Sequence, residues 1–289
     1  MSALSNEIKW PRDTRAELVQ AVGALTTLVA LAGVYAVAKG GFNLMLFYAN
    51  YIIPIGAIGV GAVAASGYAI AGWWTGLKMS RRLIWSVVAQ LAISYFIAQY
   101  EMFRSFVPEG SSIGFFSWFD ATTRGFSFSK GGSFGAFGYA MRALELAGFV
   151  FGGWMVPVAL RSKPYCESCR SYKRTSTLVK LPAGSKRKTF GKISVEAEQE
   201  ICDAGMESVK TIFAAALTGD RKAFHQVTAP LDKITANLRS AIWVELVRCP
   251  RCFDGYLSAK LLTGQGTQTL QLTRIGEQSL TKEQVRAIV

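Results

Sequence analysis

Four cysteines in two Cys-x2-Cys pairs are the strongest chemical signal in this chain: Cys166 with Cys169, and Cys249 with Cys252. Two thiolates on one tight turn can share one ion. Two such turns supply the tetrahedral all-sulfur coordination that Zn2+ takes in structural sites. The expected cofactor is one structural Zn2+. Four protein ligands leave no open position for water, so this ion is not expected to be hydrolytic. A redox dithiol is the competing reading; it needs only one pair and a supporting βα context. Two unrelated pairs are the third. The fifth cysteine, Cys202, lies beside Ile201 in a helical pattern and is expected to be a buried apolar residue.

Other reaction chemistry is sparse. The chain has one histidine, His225, and no G-x-S-x-G elbow accompanies it. There is no H-E-x2-H, P-loop or kinase signature. The balance leans away from an enzyme. Lys186, Arg187 and Lys188 form a basic surface cluster with Lys192 nearby, expected to face solvent or lipid headgroups. No aromatic residue is interleaved within residues 186–188 for base stacking, so nucleic acid is not the expected partner.

The elements that must carry these cysteines are mostly apolar. The chain has 289 residues, a mean hydropathy of +0.25 and 51% hydrophobic residues. Four apolar runs are long enough to cross the roughly 30 Å hydrocarbon core. They cover residues 18–38, about 51–74, 83–103 and 138–160. The second belongs to a longer run over 44–77, read as an interfacial entry followed by a span containing Pro54, which is expected to kink it. Ala36-Val37-Ala38 has the small-x-small form of a cleavage site. However, Glu7, Asp13 and Glu17 in the leading tail, and the length of the run, favour a retained span.

Basic residues set the direction. Lys9, Arg12 and Arg15 precede the first span, and Lys78, Arg81 and Arg82 lie between the second and third. Arg161 and Lys163 follow the fourth. The positive-inside bias then puts both termini in the cytosol. Residues 161–289 hold 21 Lys/Arg against 12 Asp/Glu, a basic face next to the bilayer. No cysteine precedes residue 161, which suits paired thiols in a reducing cytosol of a plasma or inner membrane. The outer connection over 104–137 fits least well, because Arg104, Arg124 and Lys130 lie in it. It is rich in phenylalanine. A short helix over 112–123 is expected there, lying in the interface with Phe115, Phe116 and Phe119 turned inward.

Within the spans, Ala57, Gly61 and Ala65 form small-x3-small pairs that let two helix backbones approach. They serve either contacts inside one bundle or a homo-oligomer face. Arg142 and Glu145 are three apart on the fourth span, share a helix face and can form an intramembrane charge pair. Glu101 and Arg104 are expected near the same outer end, within reach of that pair.

The remaining sequence reads as a small α+β module. Residues 178–181 and 242–247 form strands, and 256–262 with 267–274 form a hairpin turning at Gly264-Gln265-Gly266. Between the cysteine pairs lie 79 residues, explained by a helical insertion over 194–240. Ser194 is expected to cap its first helix, Asp220 its second, and a short third helix begins at Pro230. Thr281 and Gln284 form a capping box for a last helix.

Cys166-x2-Cys169 and Cys249-Pro250-x-Cys252 resemble the knuckles of the zinc-ribbon fold group. That resemblance implies a zinc-stabilised shape and no particular activity. The usual glycine after the second cysteine is replaced, with Gly255 three positions on. The expected organisation is a cytosolic tail (1–17), a four-helix transmembrane domain (18–160) and a cytosolic zinc-ribbon-like domain (161–289). The fold class is thus an α-helical polytopic membrane protein with a C-terminal α+β module. The expected role is a non-enzymatic scaffold or docking protein, with the bilayer and a cytosolic protein as partners. A channel-like or membrane-perturbing homo-oligomer with a regulatory zinc module is the alternative, and a sensor of zinc or thiol state is a further one.

Overall fold

The computed structural model describes residues 12–39, 53–108, 111–125, 135–183, 195–229, 240–263 and 271–289. These fall into two compact units, Met1–Lys163 and Pro164–Val289.

Among its described residues the first unit contains four helices long and apolar enough to cross a membrane: α1 (Arg12–Lys39), α2 (Ile55–Thr75), α3 (Arg81–Phe106) and α5 (Phe137–Arg161). A shorter helix, α4 (Phe115–Arg124), lies between α3 and α5. Glycine sets the closeness of the bundle. A Cβ on Gly61 would lie 1.9 Å from the Phe149 carbonyl oxygen, and one on Gly152 would lie 2.0 Å from that of Ile58. Thus α2 and α5 touch backbone to backbone, the arrangement small residues permit in lipid. On the other flank of α2, a Cβ on Gly67 would strike the Thr26 side chain, and one on Gly23 the Tyr68 ring.

Polar side chains tie the helices as well. Thr26 and Thr27 Oγ1 each donate to the Ala64 carbonyl at 3.1 Å. Gln90 Nε2 donates to Gln20 Oε1 at 2.5 Å, Gln20 Nε2 donates to Ser86 at 2.8 Å, and the Tyr68 hydroxyl donates to Gln90. This chain links α1, α2 and α3 with neutral groups, which cost far less in lipid than charges.

Pro54 does not kink α2. It stands at the N-cap of α2, ahead of the first helical residue, where its missing N–H is no loss. Among the described long apolar helices, α5 carries an internal proline, Pro157, and it is buried. Helix α4 starts later than residue 112, and Phe116 points away from the bundle, 84% exposed. Phe115 instead packs against Tyr100, Phe103 and Trp118, so Trp118 takes the inward place assigned to Phe116. Helical geometry explains this: positions 115, 118 and 119 share a face that 116 does not. The interfacial entry before Tyr51, residues 126–134 and Lys130 lie outside the described residues.

In the second unit, β1 (Tyr165–Cys166) and β2 (Ser171–Tyr172) pair as a tiny hairpin. A four-stranded antiparallel sheet follows in the order β3-β4-β5-β6, made of β3 (Arg174–Pro182), β4 (Ser240–Arg248), β5 (Gly255–Thr263) and β6 (Gln271–Leu280). Helices α6 (Val195–Thr218) and α7 (Arg221–Thr228) interrupt the connection from β3 to β4, and α8 (Lys282–Ile288) follows β6. One sheet face, with Val179, Leu181, Ile242, Val244, Leu246 and Leu257, packs on Val209, Ile212, Ala216, Phe224, Val285 and Ile288 from the helices. A Cβ on Gly205 would lie 2.6 Å from the Pro182 carbonyl oxygen, so α6 rests directly on β3.

Caps close these helices as their sequences indicate. Asp220 accepts from the Lys222 N–H at 2.8 Å, and Thr281 with Gln284 forms a full capping box. Gln284 Nε2 also donates to the Leu217 carbonyl, fastening α8 to the end of α6. Ser194, the residues between Pro230 and Ser240, and the turn at Gly264–Gly266 lie outside the described residues; Ser240 itself begins β4.

Candidate metal centre

The two Cys-x2-Cys turns sit at the tips of two hairpins. Cys166 ends β1 and pairs with Ser171 of β2. Cys249 directly follows β4, donating its N–H to the Asp254 carbonyl at 2.8 Å. In each turn the residue after the second cysteine adopts left-handed backbone: Arg170 at φ 48° and Phe253 at φ 61°. That conformation reverses the chain so that both sulfurs of a pair point to the same side. Glycine adopts it at no steric cost, and here arginine and phenylalanine do so instead. Gly255 has a different task. A Cβ there would lie 2.5 Å from the Val247 carbonyl oxygen, so glycine lets β5 close on β4.

All four sulfurs lie within 4.8 Å of one another, with Cys166 Sγ and Cys252 Sγ at 3.6 Å. A tetrahedron of thiolates about 2.3 Å from one ion has edges of roughly 3.8 Å. The donor set therefore has both the size and the chemistry of a metal-binding site. None of the four is in a disulfide; Cys166 and Cys249 are buried, and Cys169 and Cys252 half-buried.

The immediate surroundings were not evident from the motif. Lys173 Nζ meets Asp254 Oδ2 at 2.7 Å, bridging the two turns. Arg251 Nη1 donates to the Cys169 carbonyl at 3.3 Å, also across them. Ser171 Oγ lies 3.4 Å from Cys249 Sγ. Burial opposes ionisation of Cys249. The Ser171 hydroxyl and the backbone N–H groups of Cys252 and Arg251 outweigh it, lowering that thiol to about 6. Burial, then the neighbouring Cys252 and Cys249, pushes Cys169 up to about 12, and burial also raises Cys166. Four crowded sulfurs cannot all carry charge unless a cation sits among them. Sequence spacing identifies the four cysteines but not Ser171, Lys173, Arg251 or Asp254, whose contacts depend on how the two hairpins face.

Among the other predicted residues, Arg142 Nη1 and Glu145 Oε2 lie 2.9 Å apart on α5, with Glu145 1% exposed. Glu101 pairs instead with Arg104 at 3.8 Å and is exposed, so the acidic residues form two separate pairs. The Tyr95 hydroxyl and Gln99 Oε1 on α3, and Glu145 Oε1, are buried without a hydrogen-bond partner among the described residues. Ala57, Gly61 and Ala65 are buried inside the chain. Cys202 is half-buried rather than buried, and His225 is exposed on α7. Lys186, Arg187 and Lys188 lie outside the described residues.

No protein-family profile, curated protein or solved structure matches the chain.

Proposed function

We propose that this chain is an integral membrane protein whose four apolar helices anchor a cytosolic, zinc-ribbon-like module that serves as a docking surface for a protein partner. The observation that carries the metal part is the convergence of four sulfurs from two hairpin tips to within 4.8 Å. Zn2+ suits an all-thiolate tetrahedron with no open position, and its task there is to hold shape. Cys166, Cys169, Cys249 and Cys252 would be the ligands. The ion would remove the mutual repulsion of the thiolates and lock the β1–β2 turn to the β4–β5 turn. The basic residues between α2 and α3 (Lys78, Arg81 and Arg82) and at the end of α5 (Arg161 and Lys163) support an orientation with both termini in the cytosol.

A docking role follows from a rigid, metal-fixed module joined to a membrane anchor, with no reaction centre legible in its residues. The test is affinity capture from detergent extract with zinc retained, comparing wild type with Cys169→Ser and Cys249→Ser. The account expects a defined partner held by wild type and lost from both variants. A partner held equally by all three would separate binding from the metal site and contradict it.

One observation favours a second reading, movement of an ion or proton: Tyr95, Gln99 and Glu145 offer buried polar atoms without partners among the described residues. Flux into liposomes, present in wild type and lost in Glu145→Gln, would establish it. Sealed liposomes at all chain densities would remove it.

A further inference from the structure

A cavity of about 440 Å3 opens between the start of α3 and the end of α5. Arg81, Arg161 and Ser162 line its polar side, while Trp85, Trp154 and Val158 line its apolar side. Neither guanidinium has an ion pair or hydrogen bond among the described residues, and no described carboxylate lines the cavity. Trp85 lies one helical turn inward from Arg81, and Trp154 two turns inward from Arg161. Trp85 is 67% exposed and Trp154 37% exposed.

We propose that this cavity binds an anionic glycerophospholipid, its phosphate held between Arg81 and Arg161 and the first part of an acyl chain lying on Trp85, Trp154 and Val158. Two positive charges with no internal counterion select an anion. Guanidinium groups bind phosphate through paired N–H bonds in a planar fork. Ser162 adds no donor, because its hydroxyl already donates to the Ala159 carbonyl at 2.8 Å. The apolar side is what separates a lipid from a free anion: a small phosphate would leave two tryptophans uncovered, whereas a lipid covers both with hydrocarbon. Tryptophan at this depth fits the boundary between headgroup and tail. Basic pockets between spanning helices are a known way of holding acidic headgroups. The inference rests on α3 and α5 crossing a bilayer, and it does not depend on which side this end faces.

The test is native mass spectrometry of the delipidated full chain, titrated separately with phosphatidylglycerol, phosphatidylcholine and inorganic phosphate. Wild type should retain one phosphatidylglycerol in preference to phosphatidylcholine. Arg81→Gln and Arg161→Gln should each weaken retention about fivefold, and together about 25-fold. Arg82→Gln, outside the cavity, should change nothing. The Arg81→Lys/Arg161→Lys variant keeps the charge and should hold more lipid than the double glutamine variant, which separates charge loss from misfolding. Equal retention by wild type and the double glutamine variant would overturn the proposal. So would equal retention of the two lipids, or displacement of phosphatidylglycerol by inorganic phosphate. Release of the chain from membranes by alkaline carbonate would instead overturn the four-span reading, and is scored independently.

Discussion

Arg170 and Phe253 hold equivalent places in two turns: each follows the second cysteine of its pair, and each has left-handed backbone, φ 48° and φ 61°. The correspondence shows that the two hairpin tips are built to one plan despite the 79 residues between the cysteine pairs. A non-glycine residue in this region costs on the order of 1–2 kcal/mol. Arg170→Gly is therefore expected to stabilise the metal-loaded protein by about 1 kcal/mol, read as a higher unfolding midpoint. Phe253→Gly should gain less or lose. Its ring packs against the core and lies 5.7 Å and 5.2 Å from the guanidinium carbons of Arg248 and Arg286. A larger gain from Phe253→Gly than from Arg170→Gly would contradict this.

Two glycines two residues apart in sequence, Gly59 and Gly61, serve α2 differently. Gly61 stands against the α5 backbone, while a Cβ on Gly67 or Gly61 has nowhere to go and one on Gly59 would meet nothing within 4 Å. Gly61→Val should destabilise the bundle by about 1–3 kcal/mol or more, because backbone cannot yield as a flexible side chain can. Gly59→Ala should be neutral or gain up to about 1 kcal/mol from helix propensity. Thermal unfolding in one detergent compares them; equal effects would count against the α2–α5 contact.

The Arg142–Glu145 pair has a marked asymmetry under mutation. Removing one partner of a buried pair leaves the other charged and unpaired, a loss of about 3–5 kcal/mol. Glu145→Leu should therefore unfold the bundle more readily than the double variant Arg142→Met/Glu145→Leu, which removes both charges. A double variant as unstable as the single one would show that the pair is not a self-contained unit.

Asp120 supplies a pH prediction. The Tyr139 hydroxyl, and then the Arg124 guanidinium, hold its carboxyl below the usual carboxylate range. Arg124 Nε lies 2.7 Å from Asp120 Oδ1. A depressed folded value means that the contribution is present above the ordinary value, about 3.9, and disappears as pH falls through the folded one. A carbon-13 titration of Asp120 should give a value below that reference, and Tyr139→Phe should raise it. An Asp120 at or above the reference would show that α4 is not fastened to α5 through this carboxylate.

Much of this architecture could be read directly from residue patterns. Long apolar runs and charged flanks mark α1, α2, α3 and α5, because length and hydropathy depend on no partner. Capping pairs such as Thr281 with Gln284 are local and equally visible. The strand edges were harder. Register shifts fall between Thr177 and Val179, and between Ala259 and Lys260, each breaking the alternation that marks a strand. So β3 reaches back to Arg174, and β6 runs on to Leu280 rather than stopping at residue 274. The cysteines announce a metal site by spacing alone. Ser171, Lys173, Arg251 and Asp254 do not, since each meets the other hairpin only in three dimensions. The same holds for Gly152, whose contact with Ile58 depends on how α2 and α5 cross.

The most direct test of the central claim measures metal content and thiol protection on one natively purified sample. The account predicts one zinc ion per chain, with Cys166, Cys169, Cys249 and Cys252 slow to alkylate and half-buried Cys202 the reactive thiol. Acidification should release the ion and expose the four together, because protons compete for the same thiolates. Protein without bound metal, or four paired cysteines that alkylate as fast as Cys202, would contradict it.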